Sequence, residues 1–276
     1  MTGILYLCAT PIGNLDDMTF RAVKVLREVD FIAAEDTRRT RKLLTHFEIH
    51  TPLVRYDEFS KNQSGEKIIS SLLAGKNIAC VSDAGLPAIS DPGADLVRLA
   101  VDAGIKVCPI PGANAALSAL ICSGLDTARF AFAGFLPKTA KNRRELLKNL
   151  SMREETLIFY EAPHRLKKTL QELAENLGNR KITLARELTK VHEEFLRGEI
   201  FTLLENLEEP QGEFVIVVEG LKGGEKIETP AENFIGAYKN LIADGFDKKS
   251  AMREVAKKFN VSRREIYNAL LKEEII

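Results

Sequence analysis

Short apolar runs that stop at turn-rich exits, each followed by helical spacing, constrain this 276-residue chain more than any other feature. The plainest case is Ile78-Ala79-Cys80-Val81, which reads as a buried strand. Twelve residues follow, Ser82 to Gly93, with two Asp, two Pro, two Gly and two Ser, before an amphipathic helix begins near Ala94. Strand–helix connections usually take roughly two to six residues, and longer loops in compact domains are often functional. A stiff turn at this point also leaves main-chain N–H and C=O groups for a ligand.

The same punctuation recurs. Ile4 to Ala9 is a first strand, leaving through Thr10-Pro11-Ile12-Gly13-Asn14-Leu15 toward helical spacing at Phe20, Val23 and Leu26. Phe31 to Ala34 is a second, leaving through Glu35-Asp36-Thr37 into a helix from Arg38 to Phe47. Leu53 to Tyr56 is a third, and a helix runs from Ile68 to Leu73. Val107 to Ile110 closes this half through Pro111-Gly112-Ala113-Asn114-Ala115-Ala116. Strands alternating with helices predict an α/β fold with a mostly parallel sheet covered on both faces. Ligands of such sheets bind beyond the carboxyl ends of the strands, where all these loops leave.

After residue 125 the pattern changes. Phe130 to Phe135 and Thr156 to Tyr160 read as strands flanking a basic helix, and Ile182 to Arg186 follows a helix from Arg165 to Leu177. A strand Phe195 to Phe201, a short acidic helix and a strand Glu213 to Val218 come next. Short connections between these late strands predict a mixed sheet and a second α/β domain. Gly220 to Pro230, with Gly223-Gly224, reads as a linker. Beyond it, helices are expected around Phe234 to Ile242, from Ser250 to Phe259 and from Arg263 to Leu271. Asn260 suits a left-handed C-cap and Ser262 an N-cap, and the spacing of Ala256, Val261 and Ile266 is that of a helix-turn-helix. The expected division is 1–112, 113–222 and 231–276.

Charge and cysteine usage narrow the chemistry. With 39 basic and 39 acidic side chains no global field advertises a polyanion, so nucleic-acid contact must come from local patches. Cys8, Cys80, Cys108 and Cys122 stand singly in apolar surroundings and read as reduced core residues; the four His do not join them, so no metal is expected. No apolar run approaches the roughly 20 residues of a membrane span, and the start leads straight into a strand; a cytoplasmic protein with no membrane partner is expected. The glycine fingerprints of dinucleotide and nucleoside-triphosphate sites are absent, as is the G-x-S-x-G nucleophile turn.

What remains is a set of Pro/Gly exits able to line a ligand site with main chain. Here the chain resembles a known family. Ala9-Thr10-Pro11-Ile12-Gly13-Asn14-Leu15, Ala34-Glu35-Asp36-Thr37-Arg38, Ser82 to Gly93 and Phe159-Tyr160-Glu161-Ala162-Pro163-His164-Arg165 are similar to the signatures of the ribosomal RNA small-subunit 2′-O-methyltransferase I family, in the tetrapyrrole methylase superfamily. The resemblance runs from about residue 3 to 220, and the basic tail resembles that family's C-terminal extension. It implies a two-domain tetrapyrrole-methylase-like fold that binds S-adenosylmethionine between the domains, commonly as a homodimer. It also implies methylation of the ribose 2′-hydroxyl of one cytidine near the decoding centre of 16S ribosomal RNA, in the small ribosomal subunit. By the same resemblance, cofactor contacts fall on Pro11, Ala84, Gly85, Leu86, Ile89, Asn114 and Ala115, with Glu161 and Leu188 contributed by the second domain. Gly85-Leu86-Pro87 stands where tetrapyrrole-modifying relatives carry Gly-Asp-Pro, which argues against a tetrapyrrole substrate.

Methyl transfer to a ribose hydroxyl needs alignment and is helped by a base. Candidates at strand ends are Glu35, Asp36, Glu161, His164 and Glu187, with Asp36 and Glu161 placed first; Asp36 also suits an N-cap, and Glu187 a pairing with Arg186 or Lys190. Phosphate contacts are expected from Arg38 and Arg39, from Lys138, Lys141, Arg143 and Arg144, and from Lys257, Arg263 and Arg264. Two rival readings stand beside this one. The first is a small-molecule tetrapyrrole methyltransferase; the second is a non-enzymatic helix-turn-helix regulator.

Overall fold

The computed structural model describes residues 1–222, 230–259 and 262–272; Gly223, Gly224, Asn260 and Val261, singled out above, lie outside these. Five strands near the start form one parallel sheet: β1 (Ile4–Cys8), β2 (Phe31–Ala34), β3 (Leu53–Arg55), β4 (Ile78–Val81) and β5 (Lys106–Ile110), in the order β3-β2-β4-β1-β5. The central strands are apolar because both faces are covered, and β4 is buried throughout, whereas the edge strands β3 and β5 expose Val54, Arg55 and Lys106. Helices α1 (Phe20–Glu28) and α2 (Thr37–His46) bring Ala22, Leu26 and Leu44 against Cys8, Ile32, Val81 and Ile110. Helices α3 (Lys61–Leu73) and α4 (Gly93–Asp102) bring Ile68, Leu72, Leu96 and Ala100 against Leu5, Ala33, Ile78 and Cys80 on the other face. Helix α3 begins well before Ile68, because its first turns are polar and carry no apolar spacing. One further helix, α5 (Ala115–Ser123), has no counterpart in the sequence reading: it is apolar almost all round, so periodicity is silent there.

The later strands are β6 (Phe130–Phe135), β7 (Thr156–Glu161), β8 (Lys181–Arg186), β9 (Glu194–Glu199) and β10 (Phe214–Val218), in the order β6-β7-β10-β8-β9. Among the described strands only β6–β7 is parallel; the other pairs are antiparallel, and of these only β8–β9 is joined by a short connection. Helices α6 (Ala140–Ser151), α7 (Pro163–Leu177) and α8 (Ile200–Asn206) cover one face, with Leu147, Leu166, Leu170, Leu173 and Ile200 against Leu157, Phe159, Leu184 and Ile216. The strand expected to reach Phe201 stops at Glu199, since the Phe201 N–H donates to Asn179 Oδ1 (3.0 Å) as α8 begins. Buried Arg180 donates to the carbonyls of Leu177, Ser151 and Glu219, placing a cation at the ends of α6 and α7 where helix dipoles favour one.

Helices α9 (Pro230–Ala243), α10 (Lys248–Lys258) and α11 (Arg263–Lys272) enclose a small core of Tyr238, Ala251, Val255, Ile266 and Leu270. Asp247 Oδ1 accepts from the N–H groups of Lys249 and Ser250, so α10 starts before Ser250. Contacts divide the chain into two units, Met1–Ser118 with Leu188–Val191, and Ala119–Glu187 with His192–Ile276. Among the described residues no helix is long and apolar enough to cross a membrane, and no cluster of His, Cys, Asp and Glu is placed to hold a metal. Cys8 and Cys80 are buried, and burial pushes the Cys8 thiol up to about 12; Cys122, expected in the core, is exposed.

Candidate active site

In the first unit, adjacent strands β1 and β4 lead to helices on opposite faces of the sheet, the arrangement that opens a crevice at the carboxyl ends. Their exits are tied together: Thr10 N–H donates to Gly85 O (2.9 Å) and Gly85 N–H to Thr10 O (3.0 Å). Gly85 has φ +79°, and a Cβ there would stand 3.3 Å from Ile12 Cγ2. Farther along the same loop Ala88 and Ser90 hold φ +70° and +65°, a strained conformation for side-chain-bearing residues. Asp91 holds the loop on either side of Ser90, its Oδ1 accepting from the N–H groups of Ala88 (3.0 Å) and Gly93 (2.7 Å). Asp91 Oδ2 is buried without a hydrogen-bond partner. Asp83 Oδ1 accepts from the Asp36 N–H (3.0 Å), so both acids of this loop hold main chain.

Pro11 and Leu86 are half-buried beside these turns, Ala84 and Ile89 are exposed, and Asn114 Oδ1 caps α5 by accepting from the Leu117 N–H, with Ala115 as the helix's first residue. Leu188, expected from the second domain, instead groups with the first unit. It belongs to a four-residue strap, Leu188–Val191, that lies against Gly13. A Cβ on Gly13 would meet Lys190 Cγ at 2.6 Å, Thr189 Oγ1 at 2.8 Å and the Leu188 carbonyl at 3.0 Å. Glu187 and Thr189, on either side of Leu188, are left-handed at φ +49° and +66°. Small residues, exposed main-chain turns and a buried carboxylate oxygen without a partner fit a nucleoside carrying a positive sulfonium. The loop is signalled by its length and its Asp, Pro, Gly and Ser content, whereas the strap, Leu188-Thr189-Lys190-Val191, has no sequence signal of its own.

The acids separate sharply. Asp36 caps α2, its Oδ1 accepting from the Arg38 N–H (2.9 Å), and takes the Arg38 guanidinium on both oxygens. Those bonds hold its carboxyl well below the usual carboxylate range, which makes it a poor base. Glu161 offers no free carboxylate oxygen for a base: its side chain is fully buried, with Oε2 on Thr169 Oγ1 (2.5 Å) and Oε1 on the Ala162 N–H (2.9 Å) and near Arg165 Nε. Glu187 Oε1 accepts from the Glu213 N–H (2.8 Å). His164 is exposed in the first turn of α7. Glu35, placed lower by sequence, sits half-buried at the end of β2; burial raises its pKa, and the carboxylates of Asp83, Asp91 and Asp57 raise it further.

Among the basic residues, Arg38, Arg39, Lys138, Lys141, Arg144, Lys257, Arg263 and Arg264 are exposed. Arg143 is not, and it leaves the set of phosphate contacts. Its guanidinium is buried between α6 and α7, forked onto Glu172 and donating to the carbonyls of Pro137 and Lys138.

The sequence profile of the Tetrapyrrole (Corrin/Porphyrin) Methylases matches residues 4–204. A protein of Halalkalibacterium halodurans named ribosomal RNA small subunit methyltransferase I is 52% identical over 96% of this chain and 94% of its own. Its namesake in Bacillus subtilis is 52% identical over 97% and 94%, and that of Synechocystis 48% over 99% of both. The chain belongs to the ribosomal RNA small-subunit methyltransferase I family, within the tetrapyrrole methylases. Solved structures carry the fold into more distant relatives. A uroporphyrin-III-C-methyltransferase from Thermus thermophilus superposes with TM-score 0.56 at 19% identity, covering 78% of this chain and 94% of its own. A diphthine synthase superposes with TM-score 0.59 at 15% identity, covering 79% and 90%. In this chain the Gly85-Leu86-Pro87 turn and the strap over Gly13 both lie in the first unit, together with Glu35.

Proposed function

We propose that this family member transfers a methyl group from S-adenosylmethionine to small-subunit ribosomal RNA, on the 2′-hydroxyl of one cytidine near the decoding centre. The observation that carries the reading is the 52% identity, over nearly the whole of both chains, to a protein named for that RNA. The tetrapyrrole rival loses ground to those names and to Leu86, and the regulator to a methylase profile spanning residues 4–204.

When bound, the cofactor supplies an electrophilic methyl on a good leaving group. Pro11, Ala84, Gly85, Leu86, Ile89, Asn114, Ala115 and Leu188 hold it, and their work is alignment, which contributes most where donor and hydroxyl are set at near-attack distance. Glu35 would accept the proton that the 2′-hydroxyl gives up as it is methylated. Its raised pKa suits a base at neutral pH better than the lowered one of Asp36. Arg38, Arg39, Lys138, Lys141, Arg144, Lys257, Arg263 and Arg264 contact phosphates. A homodimer is supported by edge strand β6, which exposes Phe130, Phe132 and Phe135 with Phe132 and Phe135 edge-on to Tyr160.

The test is to incubate the protein with labelled S-adenosylmethionine and assembled small subunits lacking the modification. Label in one alkali-resistant cytidine linkage is expected. Label absent from the RNA but present in a uroporphyrinogen-type acceptor would overturn the reading.

A further inference from the structure

Among the described residues two aromatic side chains stand almost wholly in solvent, Phe20 at 98% exposure and Phe59 at 96%. Both sit at the carboxyl end of the parallel sheet, Phe20 as the first residue of α1 and Phe59 between β3 and α3. Neither is there to hold its element. Helix α1 buries Ala22 and Leu26 and is capped by Thr19 Oγ1, which accepts from the Ala22 N–H (3.1 Å). The Phe59 turn is fixed by Asp57, whose Oδ1 accepts from Ser60 N–H (2.9 Å) and Oγ (2.7 Å) and whose Oδ2 takes Arg55 Nε (2.6 Å). The ring is therefore presented on a rigid support, at low entropic cost to a ligand.

We propose that Phe20 and Phe59 are stacking platforms for unpaired bases of the RNA substrate, beside the nucleotide that is methylated; the proposal rests on the ribosomal RNA reading above. A ribose hydroxyl reaches a sulfonium only if its nucleotide is drawn out of regular stacking, and flanking bases then need new π-faces. Aromatic side chains supply these without sequence preference. Exposed cations accompany both rings: Arg21 and Lys24 follow Phe20, with Asp16 and Asp17 exposed before it, and Arg55, also paired with Asp57, lies four residues before Phe59. The one carboxylate next to Phe59 that faces solvent, Glu58, is neutralised by Lys61 Nζ at 2.7 Å. A second copy of the chain is the weaker occupant. Helices α1 and α3 pack on opposite faces of the sheet, so the two rings belong to separate spots rather than one continuous apolar patch.

The test compares Phe20→Ala, Phe59→Ala and the double variant with Phe→Leu and Phe→Trp at each position, on assembled unmodified subunits. Each alanine is expected to lower kcat/KM about 5- to 100-fold, with S-adenosylmethionine affinity unchanged. Tryptophan should restore it and leucine should not. The chain contains no tryptophan, so each Phe→Trp variant also carries a single indole, whose emission should be quenched by naked small-subunit RNA. Wild-type kcat/KM in the double alanine variant overturns the proposal, as does rescue by leucine equal to that by tryptophan. Loss of a dimer in sedimentation, with wild-type turnover per chain, overturns it in favour of a second copy. Wild-type transfer to the subunits is measured in parallel: its absence sinks the ribosomal RNA reading itself, whereas transfer that ignores both rings sinks only this inference.

Discussion

The carboxyl end of the first sheet and the interior of the second handle charge in opposite ways. In the second, charged groups are buried and consumed: Arg143 is forked onto Glu172, Glu161 is bound by Thr169 and the Ala162 N–H, and Arg180 faces three carbonyls. In the first, acids cluster half-exposed, Asp91 keeps one buried oxygen without a partner, and two side-chain-bearing residues of its loop stay left-handed. Buried groups are retained only when paired. Residual polarity and strain therefore mark the place where the fold leaves room for a ligand.

The largest effect expected from this contrast is structural. Arg180→Met strips a buried donor set from three carbonyls and should destabilise the protein by about 3–5 kcal/mol, with cofactor binding retained below the melting transition. Denaturant unfolding with a parallel binding titration would measure it; a loss below about 1 kcal/mol would mean that the second unit's charges are not the frame they are taken for.

Next comes a pair of neighbours in the first unit. Glu35→Gln should lower kcat on unmodified subunits about 100-fold, while Asp36→Asn, still a good N-cap, should leave it within a few-fold. The two differ in stability as well. A carboxyl raised in the folded state contributes stability that is fully present below its unfolded pKa, near 4.5, and is lost as pH rises through the folded value. Wild type should thus lose stability across that window relative to Glu35→Gln. A parallel pair of melting curves from pH 4 upward would refute the raised pKa.

The smallest effect concerns surface cations. Lys141→Ala and Arg144→Ala should shift stability by no more than about 0.5 kcal/mol, raise KM for subunits a few-fold and flatten its salt dependence. Equal behaviour from Arg143→Ala would erase the distinction between Arg143 and its helix neighbours; instead it should unfold the protein more readily.

The strands of both sheets were legible because burial on two faces writes them as short, bounded apolar runs, and the parallel or mixed character followed from connection length. The site was legible in part. Pro/Gly exits marked the candidate site, and the resemblance supplied the cofactor. What sequence could not supply was the partner of each charge. Arg143 and Arg144 are adjacent on one helix, and only Glu172 on α7 decides which is buried. Glu35 and Asp36 are adjacent at a strand end, where successive side chains point to opposite sides, so one meets carboxylates and the other an arginine. Glu161 looked catalytic by its position at a strand end, and Thr169, eight residues on, absorbs it.

The strap Leu188–Val191 has a consequence for biosynthesis. The first unit is discontinuous in sequence, and its last four residues emerge some seventy positions after Ser118. A nascent chain arrested between them should hold the parallel sheet with the Gly13 surface still uncovered. The first unit is therefore completed by a piece that the ribosome delivers only after Ala119–Glu187 of the second has been made.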